Sequence, residues 1–132
     1  MLHFRSHTIA DVLLVEILVP AICDGPEIDE MSEELHELIG RSPSKKMIID
    51  LARVRFIASR ALSLLLSLRR LVDIHHGELM LCNLRQELRQ IFRISGQDRF
   101  LSVQPSRDHA LAALGVAAAR SGSDSSCLTF SI

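Results

Sequence analysis

The hydroxyl of Ser59 is the side-chain group whose position in the sequence most favours chemistry. It lies where an apolar run rich in β-branched residues, 47–57, gives way to a helical repeat that begins at Ala61. A serine at such a junction is a typical N-cap, because its hydroxyl can accept a hydrogen bond from a free N–H of the first helical turn. The start of a helix is also its positive end, which favours a negative group. Two interpretations stay open: Ser59 only caps a helix, or it is a site where a phosphate is added or bound.

Two elements must position this serine. The run 47–57 is typical of a strand buried on both faces of a sheet. The helix that follows buries a stripe at helical spacing and is expected to end at His75-His76-Gly77, where glycine suits a left-handed residue. The stripe consists of Ala61, Leu65, Leu68 and Val72.

The outward side of this helix is not simply polar. Its centre carries Arg60, Ser63, Ser67, Arg70 and Ile74, bordered by Leu62 and Leu66 on one flank and by Leu64 and Leu71 on the other. An apolar border around a polar centre is typical of a protein-docking surface. The alternative is a helix that lies between the sheet and a neighbouring helix.

The other elements follow from periodicity and turn signals. Strands are predicted at Leu2–Ser6 and Val12–Val19 with a turn at His7-Thr8, and later at Glu78–Leu81 and Phe100–Val103. A first helix starts at Asp24-Gly25-Pro26, with Asp24 as its cap, and ends at Gly40. Its buried stripe is Ile28, Met31, Leu35, Leu38 and Ile39, and its acidic faces indicate a solvated surface. A third helix runs from the cap Asn83 to Gly96 and buries Leu84, Leu88, Ile91 and Phe92, and a fourth opens at Pro105-Ser106 and buries Ala110, Leu111 and Leu114.

Composition narrows the class of protein. The chain has 132 residues, 48% of them apolar, and a net charge of −1, which suits one globular domain. Without a basic excess, and with the Arg85, Arg89 and Arg93 row lacking interleaved aromatics, nucleic-acid binding is not expected. The apolar runs are too short to span a membrane. No signal peptide is apparent, and the cysteines (Cys23, Cys82 and Cys127) lack metal or redox spacing, which favours free thiols in the cytoplasm.

Catalysis finds no support in the motifs. The chain shows no Ser/His/Asp set, no glycine-rich phosphate loop and no evident carboxylate pair, so we expect neither an enzyme nor a cofactor, and no metal. Residues 1–118 are predicted to form the domain. Residues 119–132 are predicted to form a Ser/Gly-rich tail, mobile over 120–126, which ends in an alternating segment that could pair with another chain.

The segment 47–66, MIIDLARVRFIASRALSLLL, resembles the core signature of the STAS family of bacterial anti-anti-sigma factors. In that family a strand of the form hydrophobic-Asp/Asn-Leu leads through Phe-Ile-Asp-Ser-Ser-Gly-Leu into a helix. The segment 83–116 also resembles the family's C-terminal half, so the similarity spans about residues 11–116. It implies a single STAS-like α/β domain with a mixed sheet of about five strands and about four helices packed on it.

The resemblance also implies a function. Ser59 corresponds to the serine that is phosphorylated in switching members, and Asp24 to an acidic residue in a nearby loop. The implied partner is an anti-sigma factor, often a serine kinase of the histidine-kinase-like ATPase type, and phosphorylation would end the interaction. The implied partner-binding residues are Asp24, Ala58, Ser59, Arg60, Leu62, Ser63, Leu66, Ser67 and Arg70.

The motif departs from the family pattern at three positions. Ala58, Arg60 and Ala61 stand where switching members have Asp, Ser and Gly. Arg60 could pair with a phosphate on Ser59 or obstruct a kinase. A non-switching scaffold, a self-associating module such as a homodimer, and a small-ligand-binding module are therefore the alternatives to a switchable antagonist.

Overall fold

The computed structural model describes residues 3–41 and 46–115 and shows helices on both faces of a mixed β-sheet. The strands are β1 Phe4–Ile9, β2 Val12–Ile17, β3 Ala21–Ile22, β4 Lys46–Asp50, β5 Phe56–Ile57, β6 Glu78–Cys82 and β7 Ser102–Gln104. The helices are α1 Pro26–Arg41, α2 Ser59–Ile74, α3 Gln86–Ser95 and α4 Arg107–Ala113, with a 3-10 turn at Gln97–Arg99.

The main sheet has five strands in the order β1-β2-β4-β6-β7. β1 pairs with β2 antiparallel as a hairpin, and the other neighbours are parallel. Parallel neighbours need a crossover connection, which α1, α2 and α3 supply. Strands β3 and β5 form a separate two-stranded parallel sheet, beyond the carboxyl ends of β2 and β4.

Alternation along the central strands divides the core into two layers. Side chains such as Val15, Ile49 and Leu81 point to the face covered by α1, α2 and α3. Their neighbours Leu14 and Ile48 point to the other face, which α4 covers with Ala110, Leu111 and Leu114. Both faces of the sheet are buried, so its central strands are nearly continuous apolar runs. These runs are what predicted the strands from the sequence. The predicted α/β fold, with five strands in a mixed sheet and four helices, is confirmed.

The opening hairpin turns later than predicted. His7 and Thr8 lie inside β1, and the turn is formed by Ala10 and Asp11, with Ile9 paired to Val12. Ala10 has a φ of 54°, which a β-carbon disfavours. The prediction was wrong because β1 is an edge strand with mostly exposed side chains, so polar residues marked its exposed surface rather than a turn.

The predicted central strand is two strands. β4 ends at Asp50, and β5 is a separate pair of residues after the loop 51–55. Phe56, expected in the core, is 49% exposed. Phe100, expected to begin the last strand, is 53% exposed, and that strand begins at Ser102. Apolar residue type alone did not distinguish these surface positions from core positions.

Several helix ends also differ. Gly40 lies within α1, which extends to Arg41, and His76 rather than Gly77 takes the left-handed conformation after α2, with a φ of 61°. Asn83 is likewise a left-handed loop residue, with a φ of 58°, so it does not cap α3. The predicted stop at Gly96 is confirmed, with a φ of 78°.

The final helix begins as predicted. The side chain of Ser106 caps α4 by accepting a hydrogen bond from the backbone N–H of His109, at 3.3 Å. The predicted tail 119–132 lies outside the described residues.

Candidate functional site

Ser59 is exposed and is the first residue of α2. The N-cap position belongs to Ala58, which has an extended backbone and no side chain that could cap. The prediction that Ser59 is the N-cap was therefore wrong by one residue. The shift arises because the Ala58 N–H donates to the carbonyl of Ile22 in β3, at 2.8 Å, and the carbonyl of Ala58 already accepts the helical bonds from Ala61 and Leu62.

The missing cap is supplied by Asp24, from a loop 36 residues away in sequence. Its carboxylate oxygen Oδ1 accepts a hydrogen bond from the backbone N–H of Arg60, at 3.2 Å. A carboxylate at this position also complements the positive end of the helix dipole. The first turn of α1, where Asp24 was expected to act, instead has the Gly25 carbonyl accepting from the Ile28 N–H, at 3.1 Å.

The side chain of Arg60 points toward α1. Its guanidinium forms an ion pair with the carboxylate of Asp29. The two side chains are 51% and 63% exposed, so the pair is open to solvent and to competition from other ions. Ser59 is thus next to a residue whose main chain and side chain are both bound to carboxylates.

A small apolar platform adjoins this site. The loop before β5 is bound to the loop before β3, because the N–H of Arg55 donates to the Pro20 carbonyl at 2.7 Å. In the two-stranded sheet Ala21 is paired with Phe56, and both side chains are exposed. Sequence reasoning missed Phe56 as a surface residue, and the short spacing between Val54 and Ser59 is the one signal that could have indicated a separate strand.

Helix α2 buries its predicted stripe and exposes part of its predicted border. Ala61, Leu65, Leu68 and Val72 are all buried, as expected. Leu62 and Leu66 are half-buried, while Leu64 is only 7% exposed and belongs to the core.

The polar centre of the helix is divided in the same way. Ser63 and Arg70 are exposed. Ser67 is half-buried, and its hydroxyl lies 3.2 Å from Nε2 of His36 on α1. The structure therefore brings Asp24, Ala58, Ser59, Arg60, Leu62 and Ser63 together at one end of α2, whereas Ser67 faces α1.

A second polar cluster lies on the opposite face of the sheet, at the start of α4. Asp50 is 3% exposed, and its Oδ2 accepts from Nε of Arg107 at 2.5 Å while its Oδ1 accepts from the N–H of Ala52 at 2.9 Å. Burial alone would lower the pKa of Arg107, but the hydrogen bond and charge of Asp50, with the charge of Glu16, raise it instead. Glu16 accepts ion pairs from Arg5, Arg53 and Arg107.

Cys82 lies beside this second cluster and is fully buried. Burial raises the pKa of its thiol to about 12, and the negative charge of Asp50 adds to the rise. The cluster was not anticipated from the sequence, because its members come from β1, β2, β4, β6 and α4 and are neighbours only through the sheet register.

A largely apolar groove of about 210 Å³ lies between β3 and α1. It is lined by Ile22, Cys23, Ile28 and Met31, and by His3, whose Nδ1 has no hydrogen-bond partner among the described residues. No group of three His, Cys, Asp or Glu side chains within 3–41 and 46–115 could hold a metal ion. Over the same residues no helix is both long and apolar enough to cross a membrane.

These features define a class: a small α/β domain that presents the start of a central helix at its surface. The family model of the STAS domain matches residues 9–110, so the chain belongs to the STAS domain family. Among curated proteins it is similar to BtrV of Bordetella bronchiseptica, which is named as an anti-sigma factor antagonist. The two are 30% identical over 113 residues, covering 83% of this chain and 93% of BtrV.

Solved structures show the same fold at lower identity. An anti-sigma factor antagonist from Mycobacterium paratuberculosis has a TM-score of 0.75 at 20% identity, covering 85% of this chain and 92% of that one. The anti-sigma factor antagonist SpoIIAA in its unphosphorylated form has a TM-score of 0.70 at 17% identity, covering 86% and 97%. The phosphorylated form of the Bacillus protein SpoIIAA has a TM-score of 0.62 at 17% identity, covering 83% and 97%.

Proposed function

We propose that this protein is a cytoplasmic, bacterial anti-sigma factor antagonist, which binds an anti-sigma factor through the surface at the start of α2. The partner would be a serine kinase of the histidine-kinase-like ATPase type, and phosphorylation of Ser59 would end the complex. The observation that carries the proposal is the exposed hydroxyl of Ser59 at the start of a helix, beside the carboxylate of Asp24.

The chemistry of a switch is local. A phosphate on Ser59 would add about −1.5 to −2 charges and three strong acceptor oxygens. Its charge would be favourable at the helix start, where free N–H groups remain. It would also be repelled by Asp24, which already accepts from the N–H of Arg60. A partner surface that fits the neutral hydroxyl would lose contact with this rearranged helix end.

The surface around Ser59 has the composition of a docking site. Phe56 supplies an exposed aromatic ring on one side, and the half-buried Leu62 and Leu66 supply apolar area along the helix. Ser63 and Arg70 supply polar contacts between them. Aromatic and arginine side chains are the types most often found at the energetic centre of protein interfaces.

SpoIIAA, which shares this fold, has been solved in unphosphorylated and phosphorylated forms, and this supports a switch by analogy. The departures at Ala58, Arg60 and Ala61 mean that the analogy has to be tested on this chain. The ion pair between Arg60 and Asp29 is exposed, so it would cost little to exchange Asp29 for a phosphate as the partner of Arg60.

The test is to incubate the folded protein with ATP and with a serine kinase of the histidine-kinase-like ATPase type from its own organism, and to map phosphate by mass spectrometry. We expect one phosphate on Ser59, its loss in Ser59→Ala, and no loss in the matched control Ser63→Ala, which removes an exposed hydroxyl one turn further along α2. In the same assay, phosphorylated protein should bind the kinase at least tenfold more weakly. A phosphate only on other residues, or equal binding by both forms, would refute the switch.

A second candidate is a non-switching scaffold, favoured by the engagement of the helix start. The Arg60 N–H is bound to Asp24 and its side chain to Asp29, so the structure already satisfies the groups that would receive a phosphate. In this case the kinase would leave Ser59 unmodified. The protein would still bind its partner, and replacing Phe56 by Ser would weaken that binding while Ser59→Ala would not.

A further inference from the structure

The outer sides of the helical layer are oppositely charged. Helices α1, α2 and α3 cover one face of the sheet, and the strand order places α2 between the other two. All three connect parallel strands, so they run in the same direction. Each helix therefore turns the same flank toward the same side of the layer.

The contacts between α1 and α2 show which flank of each helix faces the neighbouring helix. Asp29 and His36, which contact Arg60 and Ser67 on α2, each directly follow a buried residue of α1. Arg60 and Ser67, which contact α1, each directly precede a buried residue of α2. Because each residue turns the helix by about 100°, residues that follow a buried position lie on one flank and residues that precede it lie on the other.

Applied to α1, this rule identifies the flank turned away from α2. Glu27, Glu30 and Glu34 directly precede the buried Ile28, Met31 and Leu35, and all three glutamates are exposed. None of them takes part in an ion pair among the described residues. These three residues are called the glutamate flank.

Applied to α3, the rule identifies a basic counterpart on the opposite side of the layer. Arg89 and Arg93 directly follow the buried Leu88 and Phe92, so they lie on the flank turned away from α2. Arg85 is the N-cap before α3, and its guanidinium donates to the Ala52 carbonyl at 3.4 Å. Arg89 and Arg93 are exposed, Arg85 is half-buried, and within residues 3–41 and 46–115 none of the three forms an ion pair. Arg89 and Arg93 are called the arginine flank.

We propose that this protein self-associates head to tail, with the arginine flank of one copy docked on the glutamate flank of the next. The occupant is a second copy because the complementary charges are both on this chain, at opposite sides of one layer. The spacing also matches: Arg89 and Arg93 are four residues apart on α3, and Glu30 and Glu34 are four residues apart on α1, about 6 Å at the helical rise.

Such contacts join different surfaces, so association need not stop at a dimer. The contacts would be weak and salt-sensitive, since exposed charges are screened beyond about 10 Å at 0.1 M salt. The start of α2, with Ser59, lies at the end of the layer between the two flanks and stays accessible in every copy. The proposal is therefore independent of whether Ser59 is phosphorylated.

The experiment is sedimentation equilibrium of the full chain from 10 μM to 1 mM, in low salt and in 0.3 M salt. We expect wild-type protein to form species larger than a monomer in low salt, with at least fivefold weaker association in high salt. The double variants Arg89→Glu/Arg93→Glu and Glu30→Arg/Glu34→Arg should each weaken association at least tenfold. A control, Arg70→Glu, places a similar reversal on the outward side of α2 and should have no effect.

Mixing provides the decisive measurement. Each double variant carries like charges on both flanks, so neither should associate alone, but a mixture of the two should associate again. All substituted residues are exposed, and circular dichroism should confirm that the variants fold. A monomeric wild-type protein at 1 mM in low salt, association that survives both reversals, or a mixture that stays monomeric would each overturn the proposal.

Discussion

The start of α2 and the start of α4 both hold an arginine–aspartate pair, but in opposite environments. Arg60 and Asp29 are each more than half exposed, whereas Asp50 is 3% exposed beneath Arg107. A buried carboxylate that loses its partner keeps an uncompensated charge, whereas an exposed carboxylate is solvated by water. The same type of ion pair therefore stabilises the fold on one side of the sheet and forms an exchangeable contact on the other. Each region also holds a cysteine, which makes the contrast measurable.

The largest difference should be in thiol reactivity. Cys82 is fully buried with a pKa raised to about 12, whereas Cys23 is exposed beside Asp24. Compared with the ordinary thiol pKa of 9.0, this rise reduces the thiolate fraction near neutral pH about a thousandfold. In a Cys127→Ser background, iodoacetamide at pH 8 should modify Cys23 at least a hundredfold faster, as followed by peptide mass spectrometry.

The raised pKa also determines how the modification rate of Cys82 depends on pH. Because folding raises the pKa of Cys82, its modification in the folded state should speed up only as pH approaches 12, while the protein in denaturant should react from about pH 9. Equal rates for the two thiols in the folded state would mean that the α4 side of the sheet opens readily.

The next effect is on stability at the buried pair. Arg107→Ala should lower the free energy of unfolding by about 2 to 3 kcal/mol, because it leaves Asp50 buried without its cation. The value lies below that of a fully buried pair since Arg107 is 37% exposed. Urea unfolding measures the loss. A loss no greater than that of an exposed pair would show that water or Arg53 compensates for Arg107.

A smaller effect is expected at the cap of α2. Asp24→Ala removes the acceptor for the Arg60 N–H and should cost about 1 kcal/mol, as for other lost helix caps. Asp24→Asn keeps an acceptor oxygen and should recover most of the loss. If both variants are as stable as the wild type, water serves the helix start equally well and Asp24 is free for another role.

The smallest effect should be at the exposed pair. Arg60→Ala removes the ion pair with Asp29 and should change stability by less than about 0.5 kcal/mol. It is matched to Arg107→Ala, since each removes an arginine from an aspartate. If this variant instead loses as much stability as Arg107→Ala, the contrast between the two regions fails.

The fold was predictable from the sequence where one signal decides the structure. The apolar runs of β4 and β6 and the apolar stripes of α1 and α2 predict these elements by themselves. The order of the elements then limits the possible arrangements of strands in the sheet. The boundaries were less predictable where the deciding contact is distant in sequence. α2 begins at Ser59 rather than after it because Ala58 is bound to Ile22 and Asp24 supplies the cap.

The candidate site was predicted in part for the same reason. The exposure of Ser59 follows from its place between a strand and a helix, but the pairing of Arg60 with Asp29 joins two separate helices. Asp50 matches the Asp/Asn of the family pattern, but as the last residue of an apolar strand it gave no indication of which side chain would pair with it. Its partner Arg107 comes from α4, and Cys82 is placed beside it by the pairing of β4 with β6.

The cap that Asp24 places on α2 also determines what another molecule can read at Ser59. A synthetic peptide covering residues 53–66 would contain the serine and its sequence neighbours but neither Asp24 nor β3, and a helix that short is marginal in water. An enzyme adapted to the native hydroxyl would recognise a three-dimensional epitope rather than a linear consensus. The peptide should then be a poor mimic of the folded domain.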